Sequence, residues 1–458
     1  MMKRGENVEN IGSRVEMFID EWLLSGKEGV MLRLNRPVKR EVVLTLDQPW
    51  EGSASGYFTL LQDEEKIRLY YRGNCLGSDG DSRQVTCYAE SSDGVHFTRP
   101  NLGLYSFGGS KQNNIVWSGL ESHNFSPFID GNPRAADRWT YKAVGGAAPE
   151  GSPWDEGFLY ALGSEDGIQW KRLHKEALFA GQPFDSHNVV LWEAPRNQYR
   201  CYARYWTDDR IRAIHSSASS DFKQWGPFEP NRYDGNIPAE HFYTNATVCC
   251  PGAEHMLLSF PMRFVENRKK VKEHPVEGVS DTLFMSSRDG VNWDRTFREA
   301  WSLPGPDRRN WTDRCNMTAL GIVQSDPDEF SLYVTEHYRW DDYRLRRLTV
   351  RRHGFASIRA ECGGGWFTTR PFVFSGNRLV LNYATSAAGS VRIELQDTSG
   401  TPLEGFSGDE MDALYGDELE GVVRWRNGAD VSRLAGKPIR MKATLLDADL
   451  YAFQFKMM

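Results

Sequence analysis

A short turn that returns along the chain most constrains the fold. It reads Ser92-Asp93-Gly94-Val95-His96-Phe97, then Ser164-Glu165-Asp166-Gly167-Ile168-Gln169-Trp170. It returns as Ser220-Asp221-Phe222-Lys223-Gln224-Trp225 and Ser287-Arg288-Asp289-Gly290-Val291-Asn292-Trp293, with a degenerate copy at His353-Gly354-Phe355. Asp-Gly suits a tight reversal between strands, because Gly accepts positive φ without steric cost. The closing aromatics stand at 97, 170, 225, 293 and 355, so the unit is longer than a hairpin and varies in loop length. Each unit reads as an apolar strand, a polar or Pro/Gly turn, an aromatic-rich strand, a loop, a third strand, the repeated turn and a short fourth strand. Five copies of one four-stranded unit predict an all-β chain built on a five-bladed β-propeller.

The first two strands are legible in every unit. Residues 57–61 should pair with 67–72, 125–129 with 139–144, 189–192 with 199–204, 246–250 with 256–261 and 318–323 with 330–335. After residue 358 the repeat stops and Gly363-Gly364-Gly365 marks a boundary. Short evenly spaced strands then run to the end, with one helical turn expected at 411–414, which predicts a C-terminal β-sandwich. The expected domains are therefore an N-terminal extended segment over 1–49, a propeller over 50–360 and a sandwich over 361–458. A chain of 458 residues exceeds the usual ceiling for one core, in keeping with that division.

Four inner strands open on asparagine at one register: Asn124, Asn188, Asn245 and Asn316. Strand starts and the ends of the antiparallel second strands share one face of the disc, so their polar residues should converge on a funnel. Starts supply Glu51, His123, Asn124, Asp185, His187, Asn188, Glu240, Asn245, Trp311, Asp313, Arg314 and Asn316. Second-strand ends supply Arg72, Lys142, Arg204, Arg263, Glu336 and His337. An Asp or Asn before a strand is commonly a turn residue, and Asp93, Asp130, Asp166 and Asp289 are read as structural. Glu121 and Glu240 read as rim residues and Asp20-Glu21 as structural. Asp185, Asp313, Glu336 and, less well registered, Glu51 are the candidate catalytic carboxylates. Two carboxyls flanking a glycosidic bond cleave it, one as acid and the other as base or nucleophile. His123, Asn124, His187, Asn188, Asn245, Asn316, His337, Arg72, Arg204, Arg263 and Arg314 are candidate binding residues for a carbohydrate, and Trp311, Trp50 or Trp206 could stack on a sugar ring.

With these residues placed, the chain resembles the five-bladed β-propeller glycosidase superfamily of invertases, levansucrases and arabinanases, especially the invertase arrangement of propeller then sandwich. The resemblance spans about residues 45–458 and implies furanosides as substrates. It departs from that pattern in its carboxylates, because the Asn-Asp-Pro-Asn and Arg-Asp-Pro motifs are absent and Asp185, Asp313 and Glu336 lie on blades three and five. The repeated turn is also similar to the sialidase Asp-box, without the residue between Asp and Gly. The expected activity is that of a glycoside hydrolase on a small glycoside or oligosaccharide. A glycoside phosphorylase, with Arg72, Arg204 and Arg263 on phosphate, and a non-catalytic carbohydrate-binding propeller are the alternatives.

Composition bounds the partners. The net charge is −7 and no basic run occurs, which argues against nucleic acid or a membrane as partner. No His/Cys spacing suits a metal, and no cofactor motif occurs. The polar N-terminus and seven cysteines without paired spacing point to a cytoplasmic protein.

Overall fold

The computed structural model describes residues 8–64, 66–73, 84–135, 137–233 and 238–458. It is all-β apart from short 3-10 turns, and it divides into two compact units. One comprises Pro37–Thr349, the other Met1–Arg36 together with Val350–Met458.

Pro37–Thr349 is the propeller. Its first blade runs Gly56–Gln62, Ile67–Gly73, Val85–Ser91 and Ile115–Ser118 in antiparallel sequence. The second begins with Ser126–Ile129, Tyr141–Gly145 and Gly157–Ser164, and the third with Val189–Glu193, Gln198–Trp206 and Arg212–Ser219. The fourth is split: Thr247–Cys250, Ala253–Ser259 and Met285–Ser287 form its lower half, while His241–Phe242, Met262–Val265 and Val279–Thr282 form a second sheet. In the fifth, bridges from Thr318 to Val334 and Val323 to Ser331 set the inner segment against Glu329–Glu336, which pairs with Arg344–Arg351.

The outermost strand of blade five is Val38–Thr45, with Leu44 opposite Leu345. The inner strands of blades one and five are joined by a parallel bridge between Thr59 and Leu320, where Leu60 donates to the Leu320 carbonyl at 2.7 Å. The N-terminal stretch is therefore not a separate segment. Its later part closes the ring, and its earlier part belongs to the other unit. An unpaired edge is a liability that a strand from elsewhere in the chain removes.

The repeated turn has one construction in four copies. Asp93, Asp166, Asp221 and Asp289 each accept from the two backbone N–H groups that follow, at 2.7–2.9 Å. Ser91, Ser164, Ser219 and Ser287 each lie two residues upstream and accept from the residue after the Asp. The turn fastens neighbouring blades. Tyr70 of blade one donates to the Gly167 carbonyl of blade two at 2.8 Å, Tyr202 to Gly290 at 2.9 Å and Tyr333 to Gly94 at 2.7 Å. Gly290 has φ +84°, and a Cβ there would stand 2.6 Å from Arg200 Nε, so this turn requires glycine. The third copy carries Phe222 instead, at φ +63°, and its ring packs on Phe128 and beneath Lys142. Because Ser91 pairs with Ile67 whereas Gly56 pairs with Arg72, the turns and the funnel lie at opposite ends of the strands.

In the other unit, Arg378–Gln396 and Arg440–Lys456 pair from Arg378 opposite Lys456 to Gln396 opposite Arg440. Gly365–Thr369, Ala356–Ala360, Leu24–Glu28 and Val30–Leu34 extend this sheet over one core that includes Phe18, Phe367, Phe453, Phe455, Ile393 and Trp425. This β-sandwich begins before the expected residue 361 and takes in the first 36 residues. The expected helical turn lies slightly upstream, as a 3-10 turn over Gly408–Glu410 with a Ser407/Glu410 capping box.

Removing one turn latch should weaken the ring without altering the funnel. Tyr70→Phe removes one of the two donors on the buried Gly167 carbonyl, leaving Trp170 Nε1 at 3.0 Å, and should cost about 0.5–1.5 kcal/mol. Equilibrium urea unfolding measures it, and an unchanged midpoint would count against the latch.

Candidate active site

The funnel centres on Tyr57, which opens the inner strand of blade one at φ +52°. Its hydroxyl donates to the Asp185 carbonyl at 3.1 Å, and its ring lies 5.4 Å from that of His187 and 6.1 Å from that of His123. The Arg72 guanidinium stands 4.7 Å from the ring centre and donates to the carbonyls of Ala54 and His123. Tyr57 shares an apolar cluster with Met262, Met317 and Tyr243. Arg204, Arg212 and Arg314 surround Tyr243 at 5.3, 5.6 and 5.7 Å. Ala246, Arg314, Asn316, His337 and Arg339 also have positive φ. Such concentrated backbone strain is characteristic of functional sites.

Two of the predicted carboxylates belong to this group. Asp185 keeps 38% of its side chain exposed and is ion-paired with the buried Arg204. Asp313 is fully buried, with Arg314 Nε at 2.9 Å, Arg339 Nε at 3.5 Å and His274 Nε2 at 3.7 Å. A guanidinium beside an aspartate fixes the orientation of its carboxylate.

Burial, with Arg72 adding to it, pushes the His123 and His187 imidazoles down to about 3. Both are neutral near pH 7. His123 places Nε2 3.4 Å from the Asp185 carbonyl and Nδ1 2.9 Å from Gln84. It also lines a cavity of about 440 Å³ with Gln84, Leu120, Ala147 and Glu150. His187 is buried against Thr59, 3.2 Å away. Burial raises the Tyr57 phenol well above its ordinary value, with Tyr243 adding to the effect, so it stays protonated.

The structure puts the remaining candidates to other uses. Glu51 is wholly buried inside blade one, bonded to Tyr71 at 2.5 Å and Arg99 at 2.8 Å. For Glu336, burial acts to raise the pKa, but Arg346, Lys39 and Arg344 outweigh it and hold the carboxyl below its usual range. That environment does not suit a proton donor. His337 is clamped between Asp307 and Asp342, each at 2.8 Å. Arg263 is spent on Asp281 and Glu240 at 2.6 and 2.9 Å. Lys142 lies toward the opposite face, buried between Asp130 at 2.6 Å and Asp137 at 2.9 Å. Trp311 donates to the Gly305 carbonyl at 2.8 Å from a 3-10 turn.

The four asparagines are buried ties between backbones. Asn124 donates to Ser186 O at 2.7 Å and also to Phe184 O, while accepting from Gly146 N at 2.8 Å. Asn188 donates to Phe184 O and Ser186 O, Asn245 to His187 O, and Asn316 to Ser280 O. For Asn124, Asn245 and Asn316 the common register reflects the need to hold strand starts across blade boundaries, whereas Asn188 ties down its own strand start.

Sequence reasoning did not anticipate Tyr57, Arg212 and Arg339 as funnel residues, and placed Tyr243 there only within the stretch Glu240 to Asn245. Tyr57 stands where other blades carry a polar residue, and Tyr243 lies two residues before Asn245, so both had a registral signal. Trp206, already a stacking candidate, lies under Arg212 at 4.3 Å and meets Trp154 at 5.9 Å, with Trp154 half exposed. Among the described residues no group of His, Cys, Asp or Glu could hold a metal, and no helix is long and apolar enough to cross a membrane. Cys201, Cys249 and Cys315 are unpaired thiols within the propeller, and Cys75 lies outside the described residues.

No protein-family model and no curated protein matches the chain. Solved structures do. An N-acetylgalactosamine deacetylase from F. plautii, in complex with blood group B trisaccharide, is 13% identical over 71% of this chain and 96% of its own, with a TM-score of 0.48. A glycosyl hydrolase from Bacteroides ovatus is 14% identical over 73% and 96%, at 0.41. A third comes from a family of mannoside phosphorylases that contains glycoside hydrolases targeting β-1,2 mannosidic linkages in Candida mannan; it is 14% identical over 73% and 96%, also at 0.41. The chemistry of this chain rests on its own residues.

Two measurements test this arrangement. Asn124→Ala leaves the buried Gly146 N–H without its acceptor and should lower stability by about 1–3 kcal/mol. Chemical unfolding should show that loss, and none would refute the structural role. Imidazoles held neutral in the fold, with an ordinary unfolded value of about 6.5, contribute stability that is complete above that pH and lost as pH falls toward their folded value of about 3. His187→Gln should therefore lose less stability between pH 7 and pH 5 than the parent, and parallel profiles would contradict it.

Proposed function

We propose that the propeller is a glycoside hydrolase acting on a small glycoside or oligosaccharide within this funnel. The observation that carries this reading is Asp185, an accessible carboxylate oriented by Arg204 on a residue whose backbone carbonyl meets Tyr57 and His123. An accessible, oriented carboxylate suits a base or nucleophile. Asp313 is the second carboxyl of the pair; ion-paired with Arg314 as Asp185 is with Arg204, it is assigned to steadying the positive charge that develops at the anomeric carbon. Water adds across the glycosidic bond: the hydroxyl goes to the anomeric carbon and a proton to the leaving oxygen. Neutral His123, with the rim tryptophans Trp206 and Trp154, suits uncharged hydroxyls and the apolar face of a sugar.

The test is a panel of furanose and pyranose glycosides, aryl and oligomeric, run with and without phosphate. Release of reducing sugar independent of phosphate is expected. Turnover only with phosphate would make it a phosphorylase, and tight sugar binding without turnover would make it a lectin. Asp185→Asn should lower kcat by about 10²-fold or more, the scale of acid–base groups, with little change in melting temperature because the side chain faces solvent. Asp313→Asn should lower kcat similarly. Parental turnover in Asp185→Asn would overturn the assignment.

A further inference from the structure

The funnel holds more positive charge than its carboxylates balance. Arg72, Arg204, Arg212, Arg314 and Arg339 come from blades one, three and five. Among the described residues their anionic partners are Asp185, Asp313 and the exposed Glu266. Among the described residues Arg72 has no carboxylate partner and meets carbonyls through its Nη atoms. The buried Nε atoms of Arg72, Arg204 and Arg212 have no hydrogen-bond acceptor, and those of Arg314 and Arg339 meet Asp313 only as ion-pair contacts without hydrogen-bond geometry. Arg72 and Arg204 are themselves more than nine-tenths buried, at 9% and 4% exposure.

Buried guanidinium N–H groups are costly to leave unsatisfied, and cations from separate strands brought around one pair of rings repel one another. Packing alone gives no reason to gather them. An oxyanion would supply both the missing acceptors and the missing charge, and a guanidinium fork matches its geometry. The other ionic groups of the propeller differ in charge balance, although Arg295 also has a buried Nε without an acceptor. Arg263 and Arg295 face Glu240 and Asp281, and Lys142 faces Asp130 and Asp137, so each has its own counter-charges.

We propose that Arg72, Arg204 and Arg314, around Tyr57 and Tyr243, form an oxyanion subsite within the funnel. It rests on the reading of the funnel as a sugar site and narrows its ligand: the oxyanion is either inorganic phosphate or a carboxylate carried by an acidic sugar. Both present oxygens to the same N–H donors.

Isothermal titration of the full chain with inorganic phosphate and with sodium galacturonate, at matched ionic strength, tests this. Saturable binding of one or both, at one site per chain, is expected. Phosphate alone would assign a free co-substrate, and galacturonate alone a sugar-borne carboxylate. Arg72→Gln and Arg314→Gln should each weaken binding by about tenfold or more, as loss of a charge-assisted contact does. Arg314→Lys keeps the charge but not the fork and should fall between. Arg352→Gln, in the sandwich unit, should bind like the parent. Near-ultraviolet circular dichroism identifies any variant that has lost its fold, which Arg314→Lys then replaces. No binding of either anion, equal binding by the funnel variants, or equal weakening in Arg352→Gln would overturn the proposal. Binding is read without turnover, so failure on the glycoside panel would remove the hydrolase reading while leaving the subsite standing.

Discussion

Each blade must be held to the next at both ends of its strands, and the structure solves this with two buried hydrogen-bonding devices. At one face a tyrosine hydroxyl reaches the glycine carbonyl of the neighbouring Ser-x-Asp-Gly turn. At the funnel an asparagine carboxamide reaches the backbone of the adjoining strand start. Hydrophobic contact between blades is not directional and would tolerate sliding. These bonds set the register of one blade against the next. Every side chain lining the funnel inherits its position from them.

This explains which parts of the fold were legible in the sequence. The Asp turn recurs because four copies need the same backbone geometry, so counting it was enough to find the blades. The asparagines recur for a like reason, but an amide before a strand looks the same whether it binds a sugar or a neighbouring carbonyl. Only the partner distances separate the two. Val38–Thr45 was not legible as a blade strand, because its pairing with Arg344–Arg351 is long-range and leaves no local pattern. Asp185 with Arg204 could be anticipated from opposite ends of paired strands. The enclosure of Glu336 could not, since Lys39 and Arg344 reach it from chain segments far apart.

The funnel separates its charges by role. Carboxylates such as Glu51 and Glu336 are neutralised in place and shape the wall. Of the four candidate carboxylates, Asp185 is the one that combines an arginine partner with substantial exposure, while Asp313 sits deeper between two guanidinium groups. The two histidines nearest Tyr57 are kept neutral by burial. The local field is therefore set by arginines, which do not titrate in the working range of an enzyme.

The parallel bridge of Thr59 to Leu320 and the pairing of Leu44 with Leu345 also govern how the molecule comes into being. During synthesis the first strand leaves the ribosome long before its partner exists. Blades one to four can assemble in order, yet the ring stays open, with two strand edges exposed, until the last blade has emerged. Native contacts of such wide sequence separation form late, and the open intermediate is the species most prone to pair with other chains. Transplanting Val38–Thr45 to follow blade five, by circular permutation, would turn this late closure into a local hairpin.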